Sequence, residues 1–335
     1  MANQKKAPSP LFRWSDLFRL FGTAAVMFTT LTVVYFPWST DDWTADQEEI
    51  IDFEVADEYY EEVYAGEELA PVDDTAESND HDYVLNGQIT AEKIGVTEIV
   101  AQFIQDNRLE TARALEVGAG SGQLQDVVSD YTGLDIAASA QRYFHKPFVH
   151  GSATNLPFDD SSFDVLWSVW TLEHVPNPER ALDEMRRVVK DGGYVFLWPA
   201  WLCGPDLAEG FPVRPFSDFD LGGKVTKAAL GVRQSPFLVA WGTLATRVVR
   251  NAYWRMSSEP TRLRFSKLNA NYDEYWLPDA DAAISLDVHE TMLWFASRGD
   301  ECPSCSPEFG EQVQMRSEPL IIRVQKPERH ERAQR

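Results

Sequence analysis

A doubly wound α/β fold around a mostly parallel sheet is what this 335-residue sequence predicts, and three stretches carry the prediction. The first, Ala114 to Leu124 (ALEVGAGSGQL), reads as strand, glycine turn and helix start: Leu115 and Val117 are apolar, and Gly118, Gly120 and Gly122 permit a tight turn before a helix beginning at Gln123. The second, Ser162 to Trp170, is a nearly continuous apolar run, as a strand covered on both faces requires. The third is a punctuated unit: Asn177 as cap, Pro178 at the first helical position, Ala181, Leu182, Met185, Val188 and Val189 on a buried side, Gly192 as stop, then a strand from Tyr194 to Trp198. Strands alternating with helices build a parallel sheet.

Residues 1–19 form a basic start, with Lys5, Lys6, Arg13 and Arg19. Leu20 to Trp38 is a run of nineteen residues without a charge, which just reaches the length of a membrane-crossing helix. No small-residue cleavage pattern follows it, so an uncleaved single-pass anchor is expected; a signal peptide and an interfacial helix are the alternatives. Positive-inside bias sets the amino terminus in the cytosol, and one crossing would then place the rest of the chain on the far side; a helix that inserts the other way or does not cross keeps that side open.

Residues 39–85 hold most of the net charge of −23: Asp41 to Asp82 contains 18 Asp and Glu and no Lys or Arg. Such a block is expected to be a solvated, disordered linker, with capture of a basic partner as the functional alternative. Nucleic acid is not expected as a partner, because phosphate binding needs a basic face.

The folded unit is expected over 86–326, starting with a helix from a Thr90 cap to about Gln105, followed by the glycine turn. Glycines let a ligand approach the backbone closely, and a helix N-terminus offers unpaired N–H groups. A strand from Tyr131 to Ile136 brings Asp135 beside Glu116, so two carboxylates from adjacent strand ends face one ligand. Pro147 to His150 is read as the third strand. The GxGxG spacing has Gln123 where a dinucleotide-binding turn needs its third glycine, which speaks against NAD and an oxidoreductase.

Four stretches in order, LEVGAGSGQL (115–124), YTGLDIA (131–137), GSATNLPFDDSSFDVLWSVWTLEHVPNPERAL (151–182) and MRRVVKDGGYVFLWP (185–199), make the chain resemble the class I S-adenosylmethionine-dependent methyltransferases, specifically the type 11 methyltransferase-domain group. The resemblance implies a seven-stranded sheet and S-adenosylmethionine as cofactor, held by Glu116, Gly118, Gly120, Gly122, Asp135, Ser152, Ala153, Thr154 and Trp170. Asp135 would take the ribose and Glu116 the methionine amine or the turn. Family members commonly have Asp-Ala where Ser152 and Ala153 stand, which puts the adenine contact in doubt. His174, in the loop after the best strand, is the candidate general base. Glu173 and His174 are similar to part of the Glu-x-x-Glu-His pattern of metal-assisted quinone O-methyltransferases, but Trp170 takes the place of the first Glu, so no metal site is expected.

Residues 199–286 are long enough to need structure of their own. A helix is read over Pro236 to Met256, with Phe237, Leu238, Trp241, Leu244, Val248 and Val249 apolar, and the segment is expected to be a helical lid or substrate insertion. In Asn269 to Asp287, Tyr272, Tyr275, Trp276 and Asp281 are substrate-binding candidates, and Asp279 or Asp281 has the chemistry to bind a cation or accept a proton. HETMLWFAS from His289 and the run Glu318 to Val324 are read as two antiparallel strands completing the sheet. Cys302 and Cys305 (CPSC) suggest free thiols or a local disulfide rather than zinc. Residues 327–335 form a charged tail. The expected function is methyl transfer to a small-molecule, lipid or glycan acceptor near a membrane; a non-catalytic membrane-anchored adaptor and an NAD-dependent oxidoreductase are the alternatives.

Overall fold

A six-stranded sheet in the order β3-β2-β1-β4-β5-β8 organises the molecule. It is seen in a computed structural model that describes residues 18–19, 21–26, 46–65, 83–257, 259–273 and 276–326. Strands β1 (Arg113–Val117), β2 (Asp130–Asp135), β3 (Phe148–His150), β4 (Phe163–Val169) and β5 (Val189–Trp198) run parallel, and β8 (Leu320–Arg323) closes the edge antiparallel to β5. Phe163, Val165, Leu166 and Trp167 are fully buried, because helices cover both faces of β4. One layer packs α2 (Tyr83–Ile94) and α3 (Val96–Asp106) through Ala91, Val100, Phe103 and Ile104. The opposite layer includes α4 (Pro178–Val188), whose first turn is capped by the Asn177 side chain accepting from Arg180 N at 3.2 Å.

The insertion supplies α5 (Leu221–Arg233), α6 (Pro236–Met256) and a separate antiparallel pair, β6 (Phe265–Lys267) with β7 (Ile284–Leu286). After it come α7 (Val288–Ala296) and the single turn of α8 (Phe309–Gln312).

Several expectations are corrected. Among the described residues the sheet has six strands rather than the expected seven, because HETMLWFAS lies in α7: Asp287 accepts from His289 N at 2.7 Å as its cap, and Val288 to Phe295 are buried. A short run buried on every side has no readable period, so apolarity alone does not separate strand from helix. Thr90 sits inside α2 rather than at a cap; the break falls at Gly95, whose φ of +76° turns the chain into α3. No helix follows the glycine turn, and residues 123–129 are turns and bends. Few residues separate Gly122 from β2, and the Gln125 amide bonds Gly122 O at 2.9 Å and Tyr143 O at 3.1 Å.

The acidic block is not wholly a solvated linker, because Asp46–Ala65 forms helix α1, and its Ala56 and Tyr60 are buried against the sheet's carboxyl end. Of the expected membrane anchor, 21–26 are helical, and 20 and 27–38 lie outside the described residues. Among the described residues no helix is long and apolar enough to cross a membrane. The charged tail 327–335 also lies outside them. Cys302 and Cys305 form a disulfide, and Cys203 is buried as a free thiol.

Candidate active site

Parallel strands end on one side of the sheet, and the loops leaving β1, β2 and β4 open a cleft there. Two glycines set its floor. Gly118 has φ +73°, and a Cβ on it would stand 2.1 Å from Thr171 Cγ2; Gly120 has φ +48°, and a Cβ would meet the Tyr64 hydroxyl at 2.7 Å. Both the conformation and the close approach therefore demand glycine.

Asp135 at the end of β2 braces this turn. One carboxylate oxygen accepts from Gly120 N at 2.8 Å and the other from Ala137 N at 3.0 Å. Burial raises its pKa, opposed by those N–H groups. Glu116 on β1 accepts from the Tyr131 hydroxyl and opens to the cleft on its other side. Burial pushes its carboxyl up to about 8, so Glu116 is largely protonated at neutral pH until a cation arrives.

The cleft has two lobes that meet at Gly118, Trp170, His174 and Tyr64. One, about 810 Å³ with its open mouth, is lined by Asp135, Ser152, Ala153 and Thr154. The other, about 1260 Å³, is lined by Glu116, Gly120, Ser121, Trp170 and Asp279. Ser152 Oγ lies 2.9 Å from Thr154 Oγ1, so these hydroxyls order each other at the lobe wall. Trp170 leaves β4 with φ +50°, a strained conformation for a bulky residue, pinned by its N–H donating to Trp198 O at 2.9 Å.

Where the lobes meet, three carboxyl groups, an imidazole and a tyrosine hydroxyl converge. His174 Nδ1 lies 3.5 Å from Asp281 Oδ2 and 3.3 Å from Asp281 O, and Nε2 lies 3.9 Å from Glu173 Oε1. The Tyr60 hydroxyl donates to Asp281 Oδ2 at 2.7 Å. Burial opposes the imidazolium, yet the carboxylates of Asp281, Glu173 and Asp279 outweigh it and hold the His174 pKa above its ordinary value. Burial pushes Glu173 up to about 7.

Helix α1 closes the cleft from above. Glu61 accepts from Ala138 N and, at 3.0 Å, from Ser139 N, capping the short helical turn after β2. Arg142 Nη1 donates to Ala65 O at 3.1 Å. Tyr60 and Tyr64 enter the site from this segment, which composition alone assigned to solvent. The readable signal was spacing, since Ala56, Tyr60 and Tyr64 recur every four residues and so share a helix face.

The structure thus brings together Glu116, Gly118, Gly120, Asp135, Ser152, Ala153, Thr154, Trp170 and His174 around the cleft, with Asp281 directly behind His174. Gly122, φ +71°, shapes the turn behind it, against Gln125 and Phe144. Two of the aromatic substrate candidates lie elsewhere. Tyr272 packs on Tyr59 of α1, ring centroids 5.2 Å apart, and Trp276 lies beneath the Arg214 guanidinium at 4.6 Å. Tyr275 lies outside the described residues.

Residues 115–197 match the family model of the methyltransferase domain. Among curated proteins, the chain is 31% identical over 183 residues to phthiotriol/phenolphthiotriol dimycocerosates methyltransferase 1 of Mycobacterium ulcerans, covering 49% of this chain and 64% of that protein. It is 28% identical over 99 residues to a sterol 4-C-methyltransferase of Caenorhabditis elegans, covering 25% and 30%. It is 38% identical over 91 residues to a demethylmenaquinone methyltransferase of Renibacterium salmoninarum, covering 24% and 38%. The chain spans less than two thirds of the length of each of these relatives. Motif order, strand order and the family match agree: residues 115–197 carry a methyltransferase domain with the class I arrangement of strands.

Proposed function

We propose that the protein transfers a methyl group from S-adenosylmethionine to an apolar, lipid-like acceptor at a membrane. The observation that carries the reading is the pair of buried carboxylates, Glu116 and Asp135, on adjacent strand ends either side of a glycine floor. They fit the cofactor chemically: each carboxylate oxygen of Asp135 keeps a lone pair for a ribose hydroxyl, and Glu116 offers an ammonium group a counter-charge in a dry pocket. Ser152 and Thr154 offer hydroxyls, and Ala153 its backbone, at the wall of the first lobe.

When bound, the cofactor would supply a sulfonium-activated methyl group, with S-adenosylhomocysteine as the leaving group. The protein's work is then orientation and exclusion of water. Trp170 and Tyr64 wall the junction of the lobes, and His174, oriented by Asp281, takes the acceptor's proton at Nε2.

The acceptor class is supported by the relatives, whose names give a dimycocerosate, a sterol and a demethylmenaquinone as substrates. Exposed Leu221, Val225, Val249 and Met256 on the insertion suit an acceptor drawn from a lipid surface, and the uncharged run 20–38 suits an anchor that keeps the enzyme there.

Calorimetric titration of the full chain with S-adenosylmethionine, S-adenosylhomocysteine and NAD tests the reading. The full chain is needed because α1 forms part of the cleft. Binding of the first two without NAD is expected, followed by transfer of labelled methyl from the cofactor into a membrane lipid extract. A folded chain that binds none of the three would favour the adaptor, and NAD binding would favour the oxidoreductase.

A further inference from the structure

Glu173, His174 and Asp279 each present a ligand atom, and these atoms lie within 4.8 Å of one another. Glu173 is fully buried: its Oε1 accepts from Ala200 N at 2.9 Å, while its Oε2 has no hydrogen-bond partner. Asp281, also fully buried, has its Oδ2 held by Tyr60 and its Oδ1 unpartnered. The ion pairs of Glu173 and Asp281 among the described residues are with His174, not with Lys or Arg. Three carboxyl groups and one imidazole thus meet with no Lys or Arg among the described residues paired to Glu173 or Asp281, so one imidazolium at most offsets the cluster's negative charge and a bound cation would offset more of it.

The geometry also selects which imidazole nitrogen is available. Asp281 faces Nδ1, which leaves Nε2 on the Glu173 side, the arrangement by which a carboxylate fixes the tautomer of a metal-ligating histidine. Asp279 completes the group from a turn in which it adopts φ +63°, and both it and His174 line the second lobe, so an ion there would keep open positions toward the cleft. A second group, Asp57, Glu61 and His150, is as close-knit, but both Glu61 oxygens already accept backbone N–H bonds.

We propose that Glu173, His174 and Asp279 bind a divalent cation, with Asp281 as the residue that orients His174. Two carboxylates and an imidazole suit Mn²⁺ or Zn²⁺ better than Ca²⁺. Cation binding stands apart from the methyl-transfer reading; its use rests on that reading. A hydroxyl of the acceptor ligated at the open position loses its proton to solvent more readily, and His174 then serves as ligand in place of base. The expectation of no metal site rested on Trp170 filling a local pattern, whereas the third ligand here comes from the insertion more than a hundred residues on.

The test is titration of chelator-treated full chain with MnCl₂ alone, counting free Mn²⁺ by electron paramagnetic resonance, with Zn²⁺ as competitor. One site per chain is expected. D279N and E173Q should abolish it, and D281N should weaken it roughly 10–100-fold, as loss of an orienting partner does. Melting curves establish that each variant is folded. D279N, on a partly exposed turn, keeps the test decisive if E173Q fails to fold. No stoichiometric site in wild type, or a site that survives D279N and disappears in D57N, would overturn the proposal. S-adenosylmethionine titrated into the same metal-free samples separates the two readings: cofactor binding without Mn²⁺ binding sinks only the cation, and the reverse sinks only methyl transfer.

Discussion

Buried acids occur in two regions of this molecule and are satisfied in opposite ways. Beneath the insertion, Asp287 is met by Arg247, whose Nε lies 3.1 Å from both carboxylate oxygens, and Glu290 by Arg250, whose Nε lies 3.0 and 2.8 Å from its two oxygens. In the cleft, Glu116, Asp135, Glu173 and Asp281 are met by backbone N–H groups, tyrosine hydroxyls and one histidine. The first arrangement is complete, and it ties α6 to α7. The second leaves room for a ligand's positive charge and polar groups, and that unfilled demand marks the functional region more sharply than the glycine turn does.

Removing one half of a completed pair should be the most damaging change to stability. Arg247→Ala leaves Asp287 buried without its partner and is expected to cost about 3–5 kcal/mol in denaturant unfolding, while a chain that remains folded keeps its cofactor affinity. If cofactor affinity fell in step with stability, the two regions would not be separable.

In the cleft the opposite pattern is expected. Asp135→Asn should weaken S-adenosylmethionine binding by about 1.5–3 kcal/mol, roughly 10- to 150-fold, with a smaller loss of stability than Arg247→Ala, because only one of the two braced N–H groups meets the new amide nitrogen. Normal affinity in calorimetry would remove Asp135 from the cofactor site.

Glu116 sharpens the comparison through pH. Its carboxyl sits near 8 because it is buried, and an ammonium group beside it favours the ionised form. Binding at pH 7 should therefore release a proton, seen as a dependence of the calorimetric heat on buffer ionisation enthalpy. Affinity should rise by up to about tenfold per pH unit until about pH 8 and then level off. Glu116→Gln should abolish both effects.

The smallest effect concerns His289, buried beside Asn251 in the paired region. Burial lowers its pKa from the ordinary 6.5 to about 4. Between those values the unfolded chain binds the extra proton, so this contribution to stability is fully present above pH 6.5 and is lost as pH falls toward 4. His289→Asn should flatten that part of the stability–pH curve.

How much of this was legible in the sequence depended on distance along the chain. The apolar run at 163–169, the Asn177–Pro178 start of α4 and the α6 boundaries are set by neighbouring residues and were read correctly. The α7 segment was misread because both of its environments, sheet and buried helix, ask for the same apolar residues. Helix α1 was misread because 18 acids between 41 and 82 outweigh three inward residues in any compositional measure. Tyr60 and Asp281, 221 residues apart, and His174 and Asp281, 107 apart, have no shared local pattern at all.

The sequence by itself determined the glycine floor, the alternation of parallel strands with helices and the match to a methyltransferase domain, because backbone freedom, strand burial and helix capping act over a few residues. Tertiary structure alone decided which buried acids are paired and which are left for a ligand. That choice depends on whether folding delivers an arginine or an open cleft to each carboxylate, and the chain supplies both from segments far apart in sequence.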